Sequence, residues 1–422
     1  MSLIKTYLGL LVGFVLFLSC TKTDDHPKLH RAISYPQSKV INSLRWTSNP
    51  SRYPGTNSDM HWWTWGIDSA VYIVDDDGKN FDGPAHYAHV LRINGIPPHH
   101  IVETMTDFQD EAYDFRHNIP NELVRRYVCG IVSIDSILYV TLYDYDWNLP
   151  DKILNRDTLY SRIQQFNPWH HLDSALGYTM GFIDSYSKHY GVAGIITSRD
   201  SGKTWINIPT KNTPRFLGPN FAALAFLTFG PGNKQTPAEL QPYVYAISND
   251  NNWESGDHIF LTRVHRDSIL ERKAWQFFEG IAQQPSWTKQ ESEAKPIFSD
   301  NGHAGHPTIT FNKALRRYIL CVASDVIPHK ENATPEERKQ WDWASEMQLY
   351  ESINPWGPWS IFHNDPQWGG KDHTCYLPQI PSAWLSSDGL SGVMMYAGDY
   401  TNRKGEYYGL MTQKFTLVIP DK

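Results

Sequence analysis

The eight residues from Ser198 to Trp205 read Ser-Arg-Asp-Ser-Gly-Lys-Thr-Trp and match the pattern S-x-D-x-G-x-T-W at every defined position. In this pattern the carboxylate of Asp200 accepts backbone N–H groups within a tight turn, Gly202 supplies a positive φ, and the Trp packs beneath the hairpin. The motif, known as an Asp box, joins outer strands of β-propeller blades. It therefore favours a propeller and gives Asp200 a structural rather than a catalytic role.

Outside this motif the chain has the pattern of many short strands. Runs rich in Val, Ile, Tyr and Phe that end in Gly, Asp, Asn or Pro predict strands at Ala70–Val74, His89–Ile93, Gly130–Tyr143, Ala193–Thr197, Tyr243–Ser248, His258–Val264, Arg317–Val322, Met347–Tyr350, Val393–Ala397 and Tyr408–Val418. Helices are predicted over Asp267–Gly280 and from Thr334 onward. Short strands with so few helices predict an all-β propeller or sandwich, and the Asp box favours the propeller.

The composition excludes some classes of protein. A net charge of −7 argues against a nucleic-acid-binding surface, and 41% hydrophobic with 20% charged residues excludes disorder as the main state. The length of 422 residues suits two or three average domains or one large propeller. Aromatic residues make up 14% of the chain, which suits β structure and also suits a surface that stacks on sugar rings.

The N-terminal residues have the features of an export signal. Lys5 supplies a basic region, and Leu8–Leu18 is an apolar run too short for a membrane span. The run ends in Leu-Ser-Cys, which resembles a bacterial lipobox and implies cleavage before Cys20 and acylation of its thiol. The alternative is an ordinary signal peptide. The polar segment Thr21–Asp25 is similar to the lipoprotein export signals of Bacteroidetes, which implies an outer-membrane anchor at the cell surface, with a periplasm-facing anchor as the alternative.

The domain organisation follows from this reading. Residues 1–19 are predicted to be the signal peptide, 20–45 a linker from the lipid anchor, and 46–422 one propeller domain. Apart from the anchor the chain holds Cys129, Cys321 and Cys375. An odd number does not make a disulfide framework, so buried free thiols are expected, with a Cys321–Cys375 bridge as the alternative.

Two acidic positions stand near the start of the predicted domain. In the segment Asn57–Gly78, Asp59 precedes an aromatic run and Asp77 follows the next strand. A turn over Gly66–Ser69 would make a hairpin and bring both residues to the same end of adjacent strands. Two carboxylates so placed are the minimum requirement for hydrolysis of a glycosidic bond, since one protonates the leaving oxygen and the other attacks or activates water.

Aromatic side chains adjoin these carboxylates. Trp62, Trp63 and Trp65 form a candidate platform for a sugar ring, and His61 is a candidate to orient the acid or to pack. The alternative interpretation is an acidic turn that leaves Asp75–Asp77 in solvent.

The same stretch resembles the opening motif of the bacterial domain-of-unknown-function family numbered 4185, roughly D-x-W-P-x-T-W-A-x-D-G-x-L-Y-x-x-x-G-D-G. The matching positions are Asp59, Thr64, Trp65, Asp68, Tyr72, Asp77 and Gly78. Trp62 shifts the aromatic pair, Trp63 replaces the usual proline, and Asp76 replaces a glycine. Further segments with family-like sequence lie at 220–230, 243–250, 257–264, 307–318, 349–359, 378–389 and 396–399, including Pro-Trp-Gly-Pro-Trp at Pro355–Trp359.

The resemblance implies a five-bladed β-propeller with a few short helices in loops. It also implies a glycoside hydrolase, because some members are retaining endo-D-arabinanases. Two aspartates are catalytic in that family, and the resemblance implies that they correspond to Asp59 and Asp77. The departures at Trp63 and Asp76 indicate a changed substrate.

Other polar residues are candidates to line a central funnel. Asp250 ends a predicted inner strand, His303 and His306 lie in a Gly-rich loop, and Asp399 follows Gly398 much as Asp77 precedes Gly78. These residues are assigned to substrate binding, with turn capping as the alternative for Asp250. Two histidines without a clear third ligand are weak support for a metal, so no cofactor is predicted, with a structural or central metal ion as the alternative.

Three functions remain open at this point. The first is a surface glycoside hydrolase that acts on a furanose-containing polysaccharide, and the second is a non-catalytic glycan-binding lipoprotein of the same fold. The third is a sialidase, which ranks last because no F/Y-R-I-P stretch occurs in the chain.

Overall fold

A computed structural model of the protein describes residues 33–53, 56–80, 88–108, 124–146, 188–250, 256–326, 344–369, 375–398 and 408–420. All of the described strands lie in one compact unit, Ser34–Lys422. The helix predicted from Thr334, the lipobox Cys20 and Asp399 lie outside the described residues. No helix in the described part is long and apolar enough to cross a membrane.

The strands form five antiparallel sheets, which we number as blades in chain order. Blade 1 contains β3 (Thr56–Trp65), β4 (Val71–Asn80), β5 (Ala88–Ile96) and β6 (His99–Asp107). Blade 2 contains β7 (Val124–Ile134), β8 (Ile137–Asp146) and β9 (Lys188–Ser198). Blade 3 contains β10 (Ala225–Phe226), β11 (Tyr243–Asn249), β12 (His258–His265), β13 (Gln276–Phe278), β14 (Trp287–Thr288) and β15 (Pro296–Ser299).

The last two sheets complete the ring. Blade 4 contains β16 (Thr308–Asn312), β17 (Arg317–Val326), β18 (Ala344–Ser352) and β19 (Ser360–Trp368). Blade 5 contains β20 (Cys375–Gln379), β21 (Ser391–Gly398) and β22 (Gly409–Val418), together with β1 (Ser43–Trp46) and β2 (Ser51–Arg52). Single turns of 3-10 helix lie at Pro219–Phe221, Pro231–Asn233, Ala238–Leu240, Arg266–Ser268, Arg272–Ala274, Glu291–Glu293 and Ser382–Trp384.

The innermost strands of the five blades surround one axis. β3 contacts β7, β7 contacts β10, β10 contacts β16, β16 contacts β20, and β20 returns to contact β3. Blade 5 is closed by the N-terminal strand β1, which pairs with the C-terminal strand β22 from Ser43 opposite Val418 to Trp46 opposite Phe415. The five-bladed β-propeller predicted from the sequence is therefore confirmed.

The hydrophobic core lies in the layers between neighbouring blades. Three clusters of buried side chains fill the interfaces of blades 2 and 3, blades 4 and 5, and blades 5 and 1. Their large members include Tyr139, Phe221, Phe260 and Trp275 in the first, Phe362, Trp368 and Tyr396 in the second, and Trp63 and Trp384 in the third. Full burial of each such side chain contributes about 1.5–3 kcal/mol, so blade-to-blade packing is the main source of stability.

The Asp box has the geometry that its sequence predicts. Asp200 Oδ1 accepts the backbone N–H groups of Lys203 at 3.1 Å and Thr204 at 2.9 Å and the hydroxyl of Ser198 at 2.8 Å, while Oδ2 accepts the Thr204 hydroxyl at 2.6 Å. Burial opposes ionisation, but these hydrogen bonds outweigh it and lower the pKa of Asp200 to about 2. The buried Trp205 donates from Nε1 to Thr106 Oγ1 at 2.9 Å, which fastens blade 2 to blade 1.

Replacing Asp200 by Ala is expected to lower the free energy of unfolding by roughly 1–3 kcal/mol, because the turn loses its shared acceptor. Chemical denaturation measures the change. Asp200→Asn is the matched control, since its amide oxygen can still accept the two backbone N–H groups and should recover part of the loss. Activity that vanished in Asp200→Ala without a change in stability would contradict the structural role.

The helix predicted over Asp267–Gly280 is wrong. Two single turns of 3-10 helix are followed there by strand β13. Trp275 and Phe277 both enter the core between blades 2 and 3, and Trp275 Nε1 donates to the carbonyl of Ile269 at 2.9 Å. Tertiary packing of these large side chains therefore overrides the local helix signal.

The cysteines of the propeller are free thiols, as expected from their odd number. Cys129, Cys321 and Cys375 are all buried and unbridged. Burial raises the pKa of both Cys129 and Cys321 to about 12. Their thiols therefore act as small apolar side chains of the core.

Candidate functional site

One mouth of the central channel is formed where the innermost strands begin. Asp59 lies near the start of β3, Tyr376 near the start of β20, and His306 just before β16. Tyr376 joins the other two, because its hydroxyl donates to Asp59 and its ring lies 5.4 Å from the His306 ring. The beginnings of three inner strands thus bring a carboxylate, a phenol and an imidazole together.

The hairpin predicted between the two acidic positions is present. β3 and β4 pair in antiparallel fashion, and the turn closes with the Ser69 N–H donating to the Gly66 carbonyl at 3.0 Å. Asp59 lies opposite Asp76, and Asp77 follows directly at the same end of β4. The side chain of Asp77 lies outside the described atoms.

The backbone of β3 is irregular at Asp59. The register with β4 shifts on both sides of this residue, and Met60 has a φ of 54°. Such bulges redirect a side chain relative to a regular strand. The irregularity lies at the position that the sequence assigned to catalysis.

The Asp59 carboxylate is held by two phenols. Oδ2 accepts the hydroxyl of Tyr376 at 2.8 Å and that of Tyr408 at 3.2 Å. Asp59 is 8% exposed. Since both phenols donate, the contacts stabilise the ionised carboxylate, the form needed in a nucleophile or a base.

The two tyrosines were not predicted from the sequence. They lie more than three hundred positions after Asp59, on another blade, and no local motif marks them. Tyr376 lies at the beginning of β20 and Tyr408 just before β22. These positions reach Asp59 only because blade 5 closes the ring against blade 1, which the sequence does not show.

Two further aspartates of the acidic cluster, Asp75 and Asp76, are buried rather than solvated. Asp75 is fully buried and Asp76 is 1% exposed, so the interpretation as an acidic turn in solvent does not hold for these two residues. Asp75 Oδ2 accepts the Ser58 hydroxyl at 2.9 Å, and Oδ1 accepts both the backbone N–H of His89 at 2.9 Å and its Nδ1 at 2.8 Å. Asp75 therefore ties β3, β4 and β5 together behind the mouth.

His61 belongs to the same polar network. Its Nε2 lies 3.0 Å from Ser58 Oγ, which donates its own proton to Asp75, so Nε2 carries a hydrogen and donates. Complete burial lowers the pKa of His61 to about 4, with Asp75 opposing the shift and His89 adding to it. His61 is thus neutral at neutral pH and orients Ser58 rather than carrying charge.

The buried neutral His61 makes stability depend on pH. Between pH 6.5 and about 4 the unfolded chain binds a proton at this residue and the folded chain does not, so stability falls as the pH falls through this window. The loss is expected to reach roughly 3 kcal/mol. Urea unfolding at a series of pH values measures it, and His61→Asn should flatten this part of the curve. If stability depends on pH equally in the wild type and in His61→Asn, His61 is not the residue responsible.

An ion pair supports the beginning of the second inner strand. Arg126 donates from Nε to Asp144 Oδ1 at 2.7 Å and from Nη2 to Oδ2 at 3.1 Å, and its Nη1 donates to the carbonyl of Pro209 at 3.2 Å. Both charged side chains are less than 5% exposed. The guanidinium is therefore engaged by protein groups of blade 2.

The three tryptophans predicted as a sugar platform differ in their exposure and position. Trp62 and Trp63 are 3% and 8% exposed, and Trp63 belongs to the core between blades 5 and 1, so their burial does not favour a platform. Trp65 is half-buried at the far end of β3. Six residues of a strand that rises about 3.3 Å per residue place it roughly 20 Å from Asp59.

Of the other predicted binding residues, Asp250 and His303 have protein partners. Asp250 accepts the backbone N–H groups of Asp257 at 2.8 Å and His258 at 2.9 Å, which is the turn-capping role, and burial raises its pKa. His303 Nδ1 lies 3.4 Å from Glu346 Oε1. No group of three or more His, Cys, Asp or Glu residues in the described ranges is arranged to hold a metal ion.

The fold and the site together define a five-bladed propeller with a buried carboxylate at one mouth of its channel. Residues 157–359 match the model of the family described as Domain of unknown function (DUF4185), which confirms the predicted family resemblance over this range. No curated protein matches the chain.

Solved structures with a similar fold are distant in sequence. A Bacteroides ovatus protein provisionally named a hydrolase is 14% identical with a TM-score of 0.46, over 87% of each chain. An endo-arabinase from Bacteroides thetaiotaomicron is 12% identical with a TM-score of 0.40, over 92% of this chain and 99% of its own. The catalytic domain of a GH62 α-L-arabinofuranosidase from Coprinopsis cinerea is 9% identical with a TM-score of 0.41, over 90% and 98%.

Proposed function

We propose that the protein is a glycoside hydrolase that acts on a furanose-containing polysaccharide with retention of configuration. The observation that carries the proposal is the Asp59 carboxylate, held by two phenols at the channel mouth and facing the acidic end of β4. Two carboxylates on either side of a glycosidic bond are sufficient for this reaction.

The contacts of Asp59 suit the nucleophile. Its carboxylate attacks the anomeric carbon, and Asp77 donates a proton to the leaving oxygen as the glycosidic bond breaks. A water molecule then gives its proton to Asp77 and attacks the glycosyl ester, which frees Asp59. Retention requires about 5–5.5 Å between the two carboxyl groups.

Asp76 is the alternative partner for Asp59. It lies directly opposite Asp59 in the hairpin register and is buried beside it at the mouth. The reaction is the same with either residue as the acid, so substitution of each in turn decides between them.

The substrate class rests on the family resemblance. The match over residues 157–359 supports the comparison with family members that cut D-arabinan, while Trp63 and Asp76 depart from the family motif. D-arabinan is therefore the first polymer to test, followed by L-arabinan and galactan.

A non-catalytic glycan-binding protein is the second candidate, favoured by those two departures. A sialidase-like function is disfavoured, because such enzymes bind a carboxylate through arginines and Arg126 near the mouth is already paired with Asp144.

The experiment is a polysaccharide screen with chromatography of the products. Wild-type protein should release oligosaccharides from at least one of the three polymers, and Asp59→Asn should release none. Binding of a polymer without any product from wild type would favour the non-catalytic candidate.

The proposed location is the outer membrane, with an acyl chain on Cys20 as the anchor. Cys20→Ala is expected to move the protein from the membrane fraction to the soluble fraction, because acyl chains are the proposed bilayer contact. Fractionation of cells with Cys20→Ser as a matched variant measures this. Unchanged membrane association of both variants would contradict the anchor.

A further inference from the structure

Two irregular strands contact each other where blade 5 meets blade 1 at the mouth. The register of β3 shifts on both sides of Asp59, and that of β20 shifts between Tyr376 and Gln379. Each irregularity contains a non-glycine residue with a positive φ, Met60 at 54° and Leu377 at 52°. Such backbone conformations are disfavoured for residues with a side chain and concentrate at functional sites. The strain therefore lies beside the two residues that join the blades by a hydrogen bond.

The ring of Tyr376 also contacts a third blade. His306, just before β16, is 3% exposed, and its ring lies 5.4 Å from the Tyr376 ring with 40° between the two planes. Tyr376 and Tyr408 are themselves 3% and 2% exposed, so neither phenol offers a surface to a sugar. Their hydroxyl groups therefore influence the proposed reaction through the Asp59 carboxylate, to which both are bonded.

Both hydroxyl groups donate to the same oxygen of Asp59. The distances to Oδ2 are 2.8 Å from Tyr376 and 3.2 Å from Tyr408. Attack on the anomeric carbon by Oδ1 preserves both hydrogen bonds, whereas attack by Oδ2 would break them. In the proposed reaction Oδ1 is therefore the oxygen that bonds to the sugar, and Oδ2 stays with the phenols.

The charge on Oδ2 changes twice during a retaining reaction. When Oδ1 bonds to the anomeric carbon, Asp59 becomes an ester and Oδ2 an uncharged carbonyl oxygen. When water attacks the same carbon, the bond to Oδ1 breaks, its electron pair returns to the carboxylate, and a water proton passes to the base that had served as the acid. Hydrogen bonds to a charged oxygen are stronger than those to a neutral one. The phenols therefore hold the departing carboxylate more tightly than the ester.

We propose that Tyr376 and Tyr408 are positioning residues that assist the second step, the release of Asp59 from the glycosyl ester. An interaction accelerates a step only when it is stronger in the transition state than in the state before it. The phenol hydrogen bonds meet this condition as the ester breaks and not as it forms. The assignment rests on the proposed retaining hydrolysis and adds the step at which two residues of blade 5 act.

The test begins with Tyr376→Phe, which removes the shorter hydrogen bond and keeps the ring against His306. With a nitrophenyl D-arabinofuranoside, whose leaving group needs little protonation, the ester forms readily and its hydrolysis limits the rate. Both kcat and KM are expected to fall about tenfold, with kcat/KM nearly unchanged. Stopped-flow absorbance should show a burst of nitrophenolate, and intact-mass spectrometry should show the protein with one pentosyl unit attached.

Tyr408→Phe should show the same burst and adduct with a smaller fall in kcat, because its hydrogen bond is longer. This variant carries the test if Tyr376→Phe does not fold. Tyr245→Phe is the matched control, since its buried hydroxyl donates to the carbonyl of Leu240 at 3.3 Å in blade 3 and its loss should leave the kinetics unchanged. A fall in kcat and melting temperature without a burst or adduct would show a merely structural role and overturn the proposal.

Failure of these roles and failure of the hydrolase are distinguishable. Wild-type turnover with no burst or adduct in either tyrosine variant would reject the roles and leave the hydrolase intact. Absence of wild-type turnover of both the furanoside and every polymer in the screen would reject both. A pentosyl adduct that still forms when Asp59→Asn is added to Tyr376→Phe would place the ester on another residue and would also reject the roles.

Discussion

Asp59→Asn is expected to lower kcat on the preferred polysaccharide by about 10³-fold or more. The amide cannot form the glycosyl ester, so the first chemical step is lost. The fold should be retained, because the amide oxygen can still accept the hydroxyl groups of Tyr376 and Tyr408. Steady-state kinetics together with the melting temperature separates lost chemistry from lost structure.

The catalytic acid is identified by comparing how its substitution slows substrates with different leaving groups. Asp77→Asn should slow hydrolysis of the polysaccharide by about 10²–10⁴-fold and should have much less effect on a nitrophenyl furanoside, whose leaving group needs little protonation. Asp76→Asn is the matched variant at the neighbouring position. If Asp76→Asn shows this dependence and Asp77→Asn does not, Asp76 is the acid. If Asp59→Asn retains wild-type turnover, the mechanism is rejected.

Arg126→Met is expected to lower the free energy of unfolding by about 3–5 kcal/mol. The substitution leaves the Asp144 carboxylate buried without its partner, in a layer where both side chains are nearly inaccessible to solvent. A loss of this size is a large share of the stability of a typical domain. Equilibrium denaturation, with the slope checked for two-state behaviour, measures it.

The double variant Arg126→Met with Asp144→Leu is the control. Removing both charges eliminates the unpaired carboxylate, so the double variant should be more stable than either single variant. Additive losses would show that the two side chains act independently, contrary to the bidentate geometry.

Features encoded in short segments were predictable from the sequence. The turn around Asp200 and the hairpin that brings Asp59 to the acidic end of β4 both depend on residues within a few positions of one another. The site beyond the hairpin was not predictable, because the phenols that hold Asp59 come from the blade at the other end of the chain. The role of Trp63 was not predictable for the same reason. It is a core residue because it packs against residues of blade 5, which are distant in the sequence.

The pairing of β1 with β22 affects how this protein reaches its folded state. The sheet of blade 5 combines the first strand of the propeller with the last, so it forms only after nearly the whole chain is free of the ribosome or of an export channel. Contacts between such distant segments make ring closure a slow step of folding. Until it occurs, the inner face of blade 1 and the residues that later receive Tyr376 and Tyr408 lack their neighbours. The chain therefore acquires its candidate site last, and shortening either end of the propeller would remove it.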